Sequence, residues 1–242
     1  MTSSSTLGAS PSASAADWSC LDSPPAAQPA VTATGNVTYS VLLRSLLGAP
    51  LSDVVARVCQ AADIACDTPL GESRGLSADE LLTVDVPLGF AGFLEIEAGG
   101  HLPTVFQLRQ PVLRATVDTQ VLQPIPAAAV TTLTNLLNVE FVPELGIVSV
   151  AVVDCQGVRA PGATFTNNVG GRSFYFADGV PNVMASATDI SGLGGFLNVP
   201  IRLAEFSAEL AADRRVIGTR RALPRAGWLT VIQVRPPALP YE

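Results

Sequence analysis

The chain has 242 residues, of which 48% are hydrophobic and only 14% are charged, so it can bury a sizeable core and is too apolar to be disordered throughout. Its formal net charge of -7 argues against the broad basic surface that nucleic-acid binding requires, so we expect no nucleic-acid partner. All 14 basic residues are arginine, a composition that resembles high-GC bacterial proteins. The 20 glycines and 19 prolines favour many short strands joined by turns, and the length predicts two small domains.

The N-terminal residues form a polar spacer ahead of these domains. Met1 to Ala16 consist almost entirely of Ser, Ala, Thr, Gly and Pro, so we expect a disordered tether over residues 1–30. The tether has neither the basic start nor the apolar run of a signal peptide, which suggests that an export signal has been removed; a membrane tether through that signal is one interpretation. Cys20 follows Ala-Asp-Trp-Ser rather than the small apolar run that precedes a lipidated cysteine. No apolar run reaches the ~18 residues of a transmembrane helix.

Four cysteines, Cys20, Cys59, Cys66 and Cys155, allow three complete disulfide pairings in an oxidising compartment. The short separation of Cys59 and Cys66 favours a local bridge, which leaves Cys20 to pair with Cys155 and pin the tether onto the second domain. Zinc binding is the first alternative, although the cysteines lack the close spacing of zinc ligands. Four reduced, buried thiols are the second.

The first predicted domain spans residues 31–123, where short apolar runs alternate with turn residues. Its first two runs flank Gly48-Ala49-Pro50-Leu51 and predict a β-hairpin. The predicted strands are Val37–Arg44, Val54–Cys59, Leu81–Val86, Phe90–Glu97, Thr104–Leu108 and Val112–Val117.

A helical connector is predicted over residues 124–140. Pro126 can occupy the first turn, and one helical face is apolar, with Ala127, Val130, Leu133, Leu136 and Leu137. The lack of basic residues favours a packing element over a membrane-surface helix.

The second predicted domain spans residues 141–242 and contains eight short runs, which fit a β-sandwich. These predicted strands are Gly146–Asp154, Ala163–Asn167, Ser173–Phe176, Val183–Ala187, Gly195–Val199, Glu205–Leu210, Val216–Arg220 and Trp228–Val234.

Residues 146–235 of this domain carry a family pattern. It consists of a strand ending in Asp154, then Gly157 and Pro161-Gly162-Ala163, later Thr188-Asp189 and the run Gly195 to Pro200, and a strand with Phe206 and Ala208. In these residues the second half resembles the carboxypeptidase regulatory-like family. The resemblance implies a transthyretin-like β-sandwich and a noncatalytic accessory role in a bacterial surface or exported protein. The first half lacks the Asp-x-x-Gly-x-Phe form and is a weaker match.

Few residues suggest chemistry. His101, the only histidine, lies in a Gly-Gly-His-Leu-Pro turn without a Gly-x-Ser-x-Gly elbow, so a surface turn residue is favoured over a catalytic base. Glu95 and Glu97 alternate with Leu94 and Ile96, which predicts an edge strand with its acids on a solvated face; the alternative is an acid pair of a hydrolase.

The clustered arginines, Arg214, Arg215, Arg220 and Arg221, are interpreted as a solvated strand face rather than an anion site. Because no metal-ligand cluster or phosphate loop is evident, we expect no catalytic residue, no metal and no cofactor.

The sequence therefore predicts an all-β protein of two antiparallel β-sandwich domains, transthyretin-like or immunoglobulin-like, joined by a short helix behind a disordered tail. We expect a noncatalytic module, secreted or in the cell envelope, whose partners are proteins or polysaccharides at the cell surface. One alternative is a subunit of a self-associating surface assembly, and therefore a homo-oligomer. The other is a secreted hydrolase that uses the carboxylates of the first domain.

Overall fold

The computed structural model describes residues 15–28, 34–45, 48 and 50–240. The disordered tether expected over residues 1–30 lies outside the described residues at 1–14 and 29–30; residues 15–28 are described and contain a short helix, so the expectation of disorder is wrong for them. The chain is mostly β, with 43% of residues in strands and 6% in helices, which confirms the all-β class.

The described residues form fifteen strands, one α-helix and a short 3₁₀ helix at Ser19–Asp22. The strands and the α-helix are, in chain order, β1 Asn36–Leu43, β2 Val55–Cys59, β3 Gly71–Arg74, β4 Leu81–Pro87, β5 Phe93–Glu97, β6 Thr104–Gln107, β7 Thr116–Leu122, α1 Ala127–Leu136, β8 Gly146–Val152, β9 Ala163–Asn167, β10 Arg172–Ala177, β11 Val180–Asn182, β12 Leu193–Val199, β13 Ala204–Leu210, β14 Val216–Ala222 and β15 Leu229–Val234. Among the described residues, no helix is long and apolar enough to cross a membrane.

The strands form one nine-stranded central sheet and two three-stranded sheets. The order in the central sheet is β11-β10-β12-β8-β15-β6-β5-β2-β3, and the small sheets have the orders β4-β1-β7 and β14-β13-β9. Strand β15 pairs with β8 on one side and β6 on the other, so strands from both predicted halves belong to the same sheet. The division into residues 31–123 and 141–242 concerns independent folding and stays a prediction.

Three strand pairs are parallel, which makes the prediction of wholly antiparallel sheets wrong. Strand β1 pairs with β7 in parallel, and β15 pairs in parallel with both β6 and β8. Two parallel strands are joined by a long crossover connection, so they are distant in the sequence. The alternation of apolar residues within one strand does not indicate which distant strand pairs with it in parallel.

The predicted hairpin of the first two strands is also wrong. Strand β1 pairs with β4 and β7, whereas β2 pairs with β3 and β5 in the central sheet. The connection over residues 44–54 is longer than the ~2 to 5 residues of hairpin loops, so the two strands enter different sheets.

Three other elements differ from the sequence expectation. The run Val112–Val117 is interrupted by a bend at Arg114, whose carbonyl accepts a hydrogen bond from the Thr116 hydroxyl, and strand β7 begins only at Thr116. The run Val183–Ala187 is not a strand, because the Asn182 side chain accepts the Met184 N–H and forms a turn after β11. The sequence does not predict strand β3, because this strand has only four residues and most of them are polar.

Two cores lie on opposite faces of the central sheet, as the two-residue repeat of strands requires. Core 1 packs that sheet against β4-β1-β7 and includes Val41, Leu82 and Leu94. Core 2 packs the other face against β14-β13-β9 and includes Phe206 and Ile217. The middle strands β8 and β15 contribute to both cores, which explains why all six residues of β15 are buried.

Helix α1 follows β7 and packs on core 1 through Val130 and Leu137. The predicted apolar face is correct for these residues. It is wrong for Ala127, which is exposed, and for Leu136, which is 58% exposed.

Candidate functional site

A groove lies on the core 2 face of the molecule, between β6 of the central sheet and β14. It consists of two contiguous cavities of about 340 Å³ each, which share Ala91, Leu108 and Arg220 in their walls. Cavities of this size are at the lower end of the range for ligand sites, and the two together form a longer concave surface.

Five arginines line this groove: Arg109, Arg220, Arg221, Arg225 and Arg235. No aspartate or glutamate lines either cavity. The rest of the chain then contains nine arginines for 21 acidic residues, so the groove is a cationic surface on a protein that is otherwise strongly acidic.

The groove arginines are held in place by neutral and charged acceptors. Arg220 Nε donates to the Gln233 carbonyl at 3.1 Å, and its Nη2 donates to the Arg109 carbonyl. Arg235 Nη1 donates to Gln110 Oε1 at 2.7 Å. These bonds fix the guanidinium planes before any ligand arrives, which lowers the entropy that binding must offset.

Arg221 is the most exposed of the ion-paired groove arginines, at 73% of its side chain. Its Nε pairs with Glu205 Oε2 at 3.1 Å. Since a guanidinium has five N–H donors, this contact leaves the four Nη hydrogens of Arg221 for a further acceptor.

One end of the groove is built on a buried carboxylate, Glu95 of β5, which is 2% exposed. It forms ion pairs with Arg225 and with Arg57 Nη1, the latter at 3.3 Å. The Arg225 guanidinium also lies 4.9 Å from the ring centroid of Trp228 and 5.8 Å from that of Phe93. Arg225 is thus held by a charge and two rings at the groove wall.

The prediction that Glu95 lies on a solvated edge strand is wrong. Strand β5 lies between β6 and β2 inside the central sheet, and four of its five residues are buried. Only Glu97 is exposed, and it pairs with Arg57 Nη2 at 2.9 Å. The alternation of residues within β5 does not show this burial, because the strands and the arginine that cover Glu95 come from distant parts of the sequence.

The disulfide between Cys59 and Cys66 closes the loop beside Arg225. Both cysteines are buried, and the loop residues Ala61 and Ile64 line the groove. Their sulfur atoms lie within 4.8 Å of a Glu95 oxygen, a grouping of metal-ligand type. Because the two sulfurs are bonded to each other, neither is a thiolate, and the described pair is the local bridge that the spacing favoured rather than the zinc alternative.

The second disulfide, Cys20 to Cys155, ties the N-terminal segment to the second half of the chain. Around it, the Cys155 N–H donates to the Asp17 carbonyl at 2.8 Å, and the Asp17 N–H donates to Asp154 Oδ2 at 3.1 Å. The side chains of Trp18 and Leu21 pack on core 2. We call residues 15–28 the strap; its last described residue, Gln28, lines the groove.

A second buried carboxylate, Asp118 of β7, lies on the core 1 side. It is 3% exposed, accepts a hydrogen bond from the Tyr39 hydroxyl at 2.6 Å and pairs with Arg109 Nη2 at 2.7 Å. Burial, together with the charge of Asp118, raises the pKa of Tyr39 well above its usual value. Arg109 therefore connects this carboxylate to the groove.

Arg159 carries a buried guanidinium close to this pair. Burial, with the nearby charge of Arg109, lowers the pKa of Arg159 to about 10, and the charge of Asp118 opposes that change. Its Nη1 is buried without a hydrogen-bond partner among the described residues. The Asp118 cluster thus holds more positive than negative charge.

His101 is not an isolated turn residue, since its Nε2 lies 3.1 Å from the hydroxyl oxygen of Ser45. Its Nδ1 is 2.8 Å from the Gly99 carbonyl, so Nδ1 carries a proton and donates to that oxygen; in the neutral ring, Nε2 then accepts from Ser45. Ser45 is 3% exposed, and neither residue lines the groove. The pair fastens two loops together, and its sequence separation of 56 concealed it.

The clustered arginines of the sequence divide into two groups. Arg214 pairs with Glu209, and Arg215 pairs with Asp213 and with Asp22 of the strap, so these two belong to the exposed β13–β14 turn. Arg220 and Arg221 instead line the groove, and Arg220 is half-buried. The expectation of a solvated face is therefore wrong for Arg220, because a strand alternates sides and the sequence does not show what covers each side.

No family model matches the sequence, and no curated protein matches it significantly. Among solved structures, the chain aligns with the Bacillus anthracis TIE protein at a TM-score of 0.28 and 11% identity, covering 83% of this chain and 34% of that one. It aligns with the shaft pilin SpaA from Lactobacillus rhamnosus GG at a TM-score of 0.26 and 10% identity, covering 84% and 98% of the two chains. A streptococcal ancillary pilin aligns at 0.25 and 11%, covering 83% and 68%. At these TM-scores none of the matches assigns a function to this chain.

Proposed function

We propose that this chain is a noncatalytic exported module, secreted or in the cell envelope, that binds a protein or polysaccharide partner through the arginine groove. The observation that carries the proposal is the groove itself, a concave surface with five arginines and no acidic side chain in its walls. The resemblance of residues 146–235 to carboxypeptidase regulatory-like domains is part of the same proposal.

Export is supported by the cysteines. All four are paired in two disulfides, and such bonds persist in oxidising compartments outside the cytosol. The bond at Cys20 also fixes the strap to Cys155, which is 135 residues away in the sequence. An exported protein on a tether would need its tether held to the folded domains in this way.

The groove is favoured over the ends of the central sheet as the contact surface. One end strand, β3, has four residues and carries Glu72 and Arg74, while the other, β11, has three residues and contains Pro181. Short strands with charges or proline resist pairing with another chain.

A subunit of a self-associating assembly is the second candidate. Val180 and Met184, on and just after the end strand β11, are 49% and 85% exposed, and apolar exposure of this kind is typical of protein contacts. Sedimentation velocity over a wide concentration range tests it, since a subunit of this kind forms oligomers whose size rises with concentration. The hydrolase alternative loses its support, because Glu95 is enclosed by two guanidiniums.

Export is tested by peptide mapping of the protein taken from its native compartment. Free thiols are alkylated before and after reduction, and we expect no alkylation before reduction, with linked peptides for Cys20–Cys155 and Cys59–Cys66. Four alkylated cysteines in the unreduced sample would contradict export.

A further inference from the structure

We propose that the groove takes an extended acidic peptide, which lies along β14 and places its carboxylates on the groove arginines. This inference rests on the proposed function and adds the chemical class of the ligand.

The charge of the groove selects an anion. Its five arginines line a concave surface with no acidic side chain in its walls, and Arg109, Arg221 and Arg225 pair with carboxylates that lie outside those walls. Arginine forms paired hydrogen bonds with carboxylates, and the Arg221 side chain, which is 73% exposed, is accessible for that contact.

The backbone of β14 selects an extended peptide. Strand β14 is the outer strand of its sheet and pairs with β13, and its residues Thr219 to Ala222 line the groove. The side-chain amide of Gln107 donates to the Arg221 carbonyl at 2.9 Å. The groove side of this strand therefore already accepts a hydrogen bond from an amide N–H, which is the contact that an added strand makes.

The remaining walls are aliphatic and fit side chains between the carboxylates. They include Ile64, Leu108 and Leu203 in one cavity and Pro111 and Pro236 in the other. An extended peptide directs successive side chains to opposite sides, so alternating acidic and aliphatic residues match a groove with both kinds of wall.

The test uses a fluorescein-labelled peptide of about ten residues with alternating Glu and Val, a length that spans a typical added strand. Binding is measured by fluorescence anisotropy on the full disulfide-bonded chain, at two salt concentrations. We expect saturable binding that weakens with salt, and at least about tenfold weaker binding of the matched Gln-Val peptide, because charge complementarity is lost.

Arg221→Gln is the site variant, and Arg74→Gln is its matched control. Both side chains are 73% exposed, and each pairs with a glutamate that is 41% exposed, but Arg74 lies on β3 at the far end of the central sheet. We expect Arg221→Gln to weaken binding about fivefold and Arg74→Gln less than about twofold, since only Arg221 faces the ligand. Equal weakening by both variants would overturn the proposal, because it would indicate attraction to charge alone.

Amide hydrogen exchange supplies a second measurement. We expect the Glu-Val peptide to slow amide exchange in residues 216–222. If the peptide protects only amides of other strands, it does not lie along β14. Oligogalacturonate serves as the other anion: if it binds with dependence on Arg221 and the peptide does not, the proposed function stands and the peptide inference fails. If neither binds, the groove itself is not the contact surface.

Discussion

Two buried carboxylates lie in different parts of the protein, and each faces more than one guanidinium. Glu95 is enclosed by Arg57 and Arg225, both in direct ion pairs. Asp118 pairs with Arg109, accepts the Tyr39 hydroxyl, and lies within the electrostatic influence of the buried Arg159. In both clusters one arginine comes from the first half of the chain and another from the second.

The difference lies in how the charges are satisfied. At Glu95 both guanidiniums form ion pairs with the carboxylate, although Oε1 makes no hydrogen bond, and Arg225 gains further contacts with two aromatic rings. At Asp118 a neutral hydroxyl takes part of the hydrogen-bonding capacity, and Arg159 Nη1 stays buried without a partner. The carboxylate of the first cluster is compensated by two direct ion pairs, so this cluster should contribute stability, whereas the second contains a guanidinium whose buried Nη1 has no hydrogen-bond partner and should be destabilising.

The largest effect is expected for Glu95→Gln. The substitution leaves Arg225, whose side chain is only 17% exposed, without its counter-charge, and breaking such a buried pair costs about 3–5 kcal/mol. Urea unfolding at neutral pH measures the loss. Glu97→Gln is the control, because its exposed pair with Arg57 is worth less than ~1 kcal/mol. Equal losses in the two variants would mean that burial of Glu95 does not govern its contribution.

A smaller loss is expected for Asp118→Asn, about 2–4 kcal/mol, because the amide oxygen that replaces the carboxylate still accepts the Tyr39 hydroxyl. The variant removes the only acidic contact of Arg109 among the described residues. The same urea titration applies, with Asp85→Asn as the exposed control on β4. A loss larger than that of Glu95→Gln would reverse the ranking of the two clusters.

Arg159→Met should stabilise the protein by about 1–3 kcal/mol, since it replaces an unsatisfied buried cation with an apolar side chain of similar length. The gain should be larger when Asp118→Asn is also present, because the carboxylate no longer offsets the charge. Thermal unfolding of the four proteins in this cycle measures the coupling. Arg114→Met, at an exposed position, should change stability by less than ~0.5 kcal/mol. Destabilisation by Arg159→Met would show that its other contacts outweigh its desolvation.

The smallest effect concerns Tyr39. Its pKa is raised in the folded state, so its contribution is present below the pKa of an exposed tyrosine and is lost as pH rises above that value, when only the unfolded chain ionises. Tyr39→Phe should therefore cost ~1 kcal/mol at pH 8, and this difference should shrink above pH ~10.

Arg159 has the opposite dependence, because its lowered pKa makes the folded state release a proton first as pH rises. The Tyr39 measurement is therefore best made in the Arg159→Met background. A difference that stays constant from pH 8 to pH 11 would show that Tyr39 has no raised pKa.

Local features of the protein could be predicted from its sequence, and features that depend on distant partners could not. The separation of Cys59 and Cys66 identified a bridge within one loop, and the alternation of residues in β13 and the apolar run of β15 identified those strands within one or two positions. The parallel partners of β15 left no mark in its own residues, since a strand buried on both faces shows only a continuous apolar run.

The candidate site depends most on such long-range pairing. Arg220 was noticed only as one of a cluster of four, while Arg109, which accepts its hydrogen bond, lies 111 residues earlier in the chain. The sequence predicts that Glu95 is exposed to solvent. It is buried because Arg225 and the neighbouring strands cover it, and these are distant in the sequence. Charge pattern along the sequence could not indicate that five arginines share one groove.

The bond between Cys20 and Cys155 also determines how the protein responds to a mechanical pull. Residues 21–154 lie inside the covalent loop that this bond closes. Tension applied at the N-terminus passes from Cys20 directly to the segment before β9, so the first half, α1 and β8 lie outside the covalent path of the load and cannot lengthen while the bond is intact. The sequestered chain would otherwise add about 450 Å of extension at ~3.4 Å per residue. While the bond is intact, a pull at the two ends of the chain can extend only the residues outside this loop, and reduction of this one disulfide makes the looped residues extensible as well.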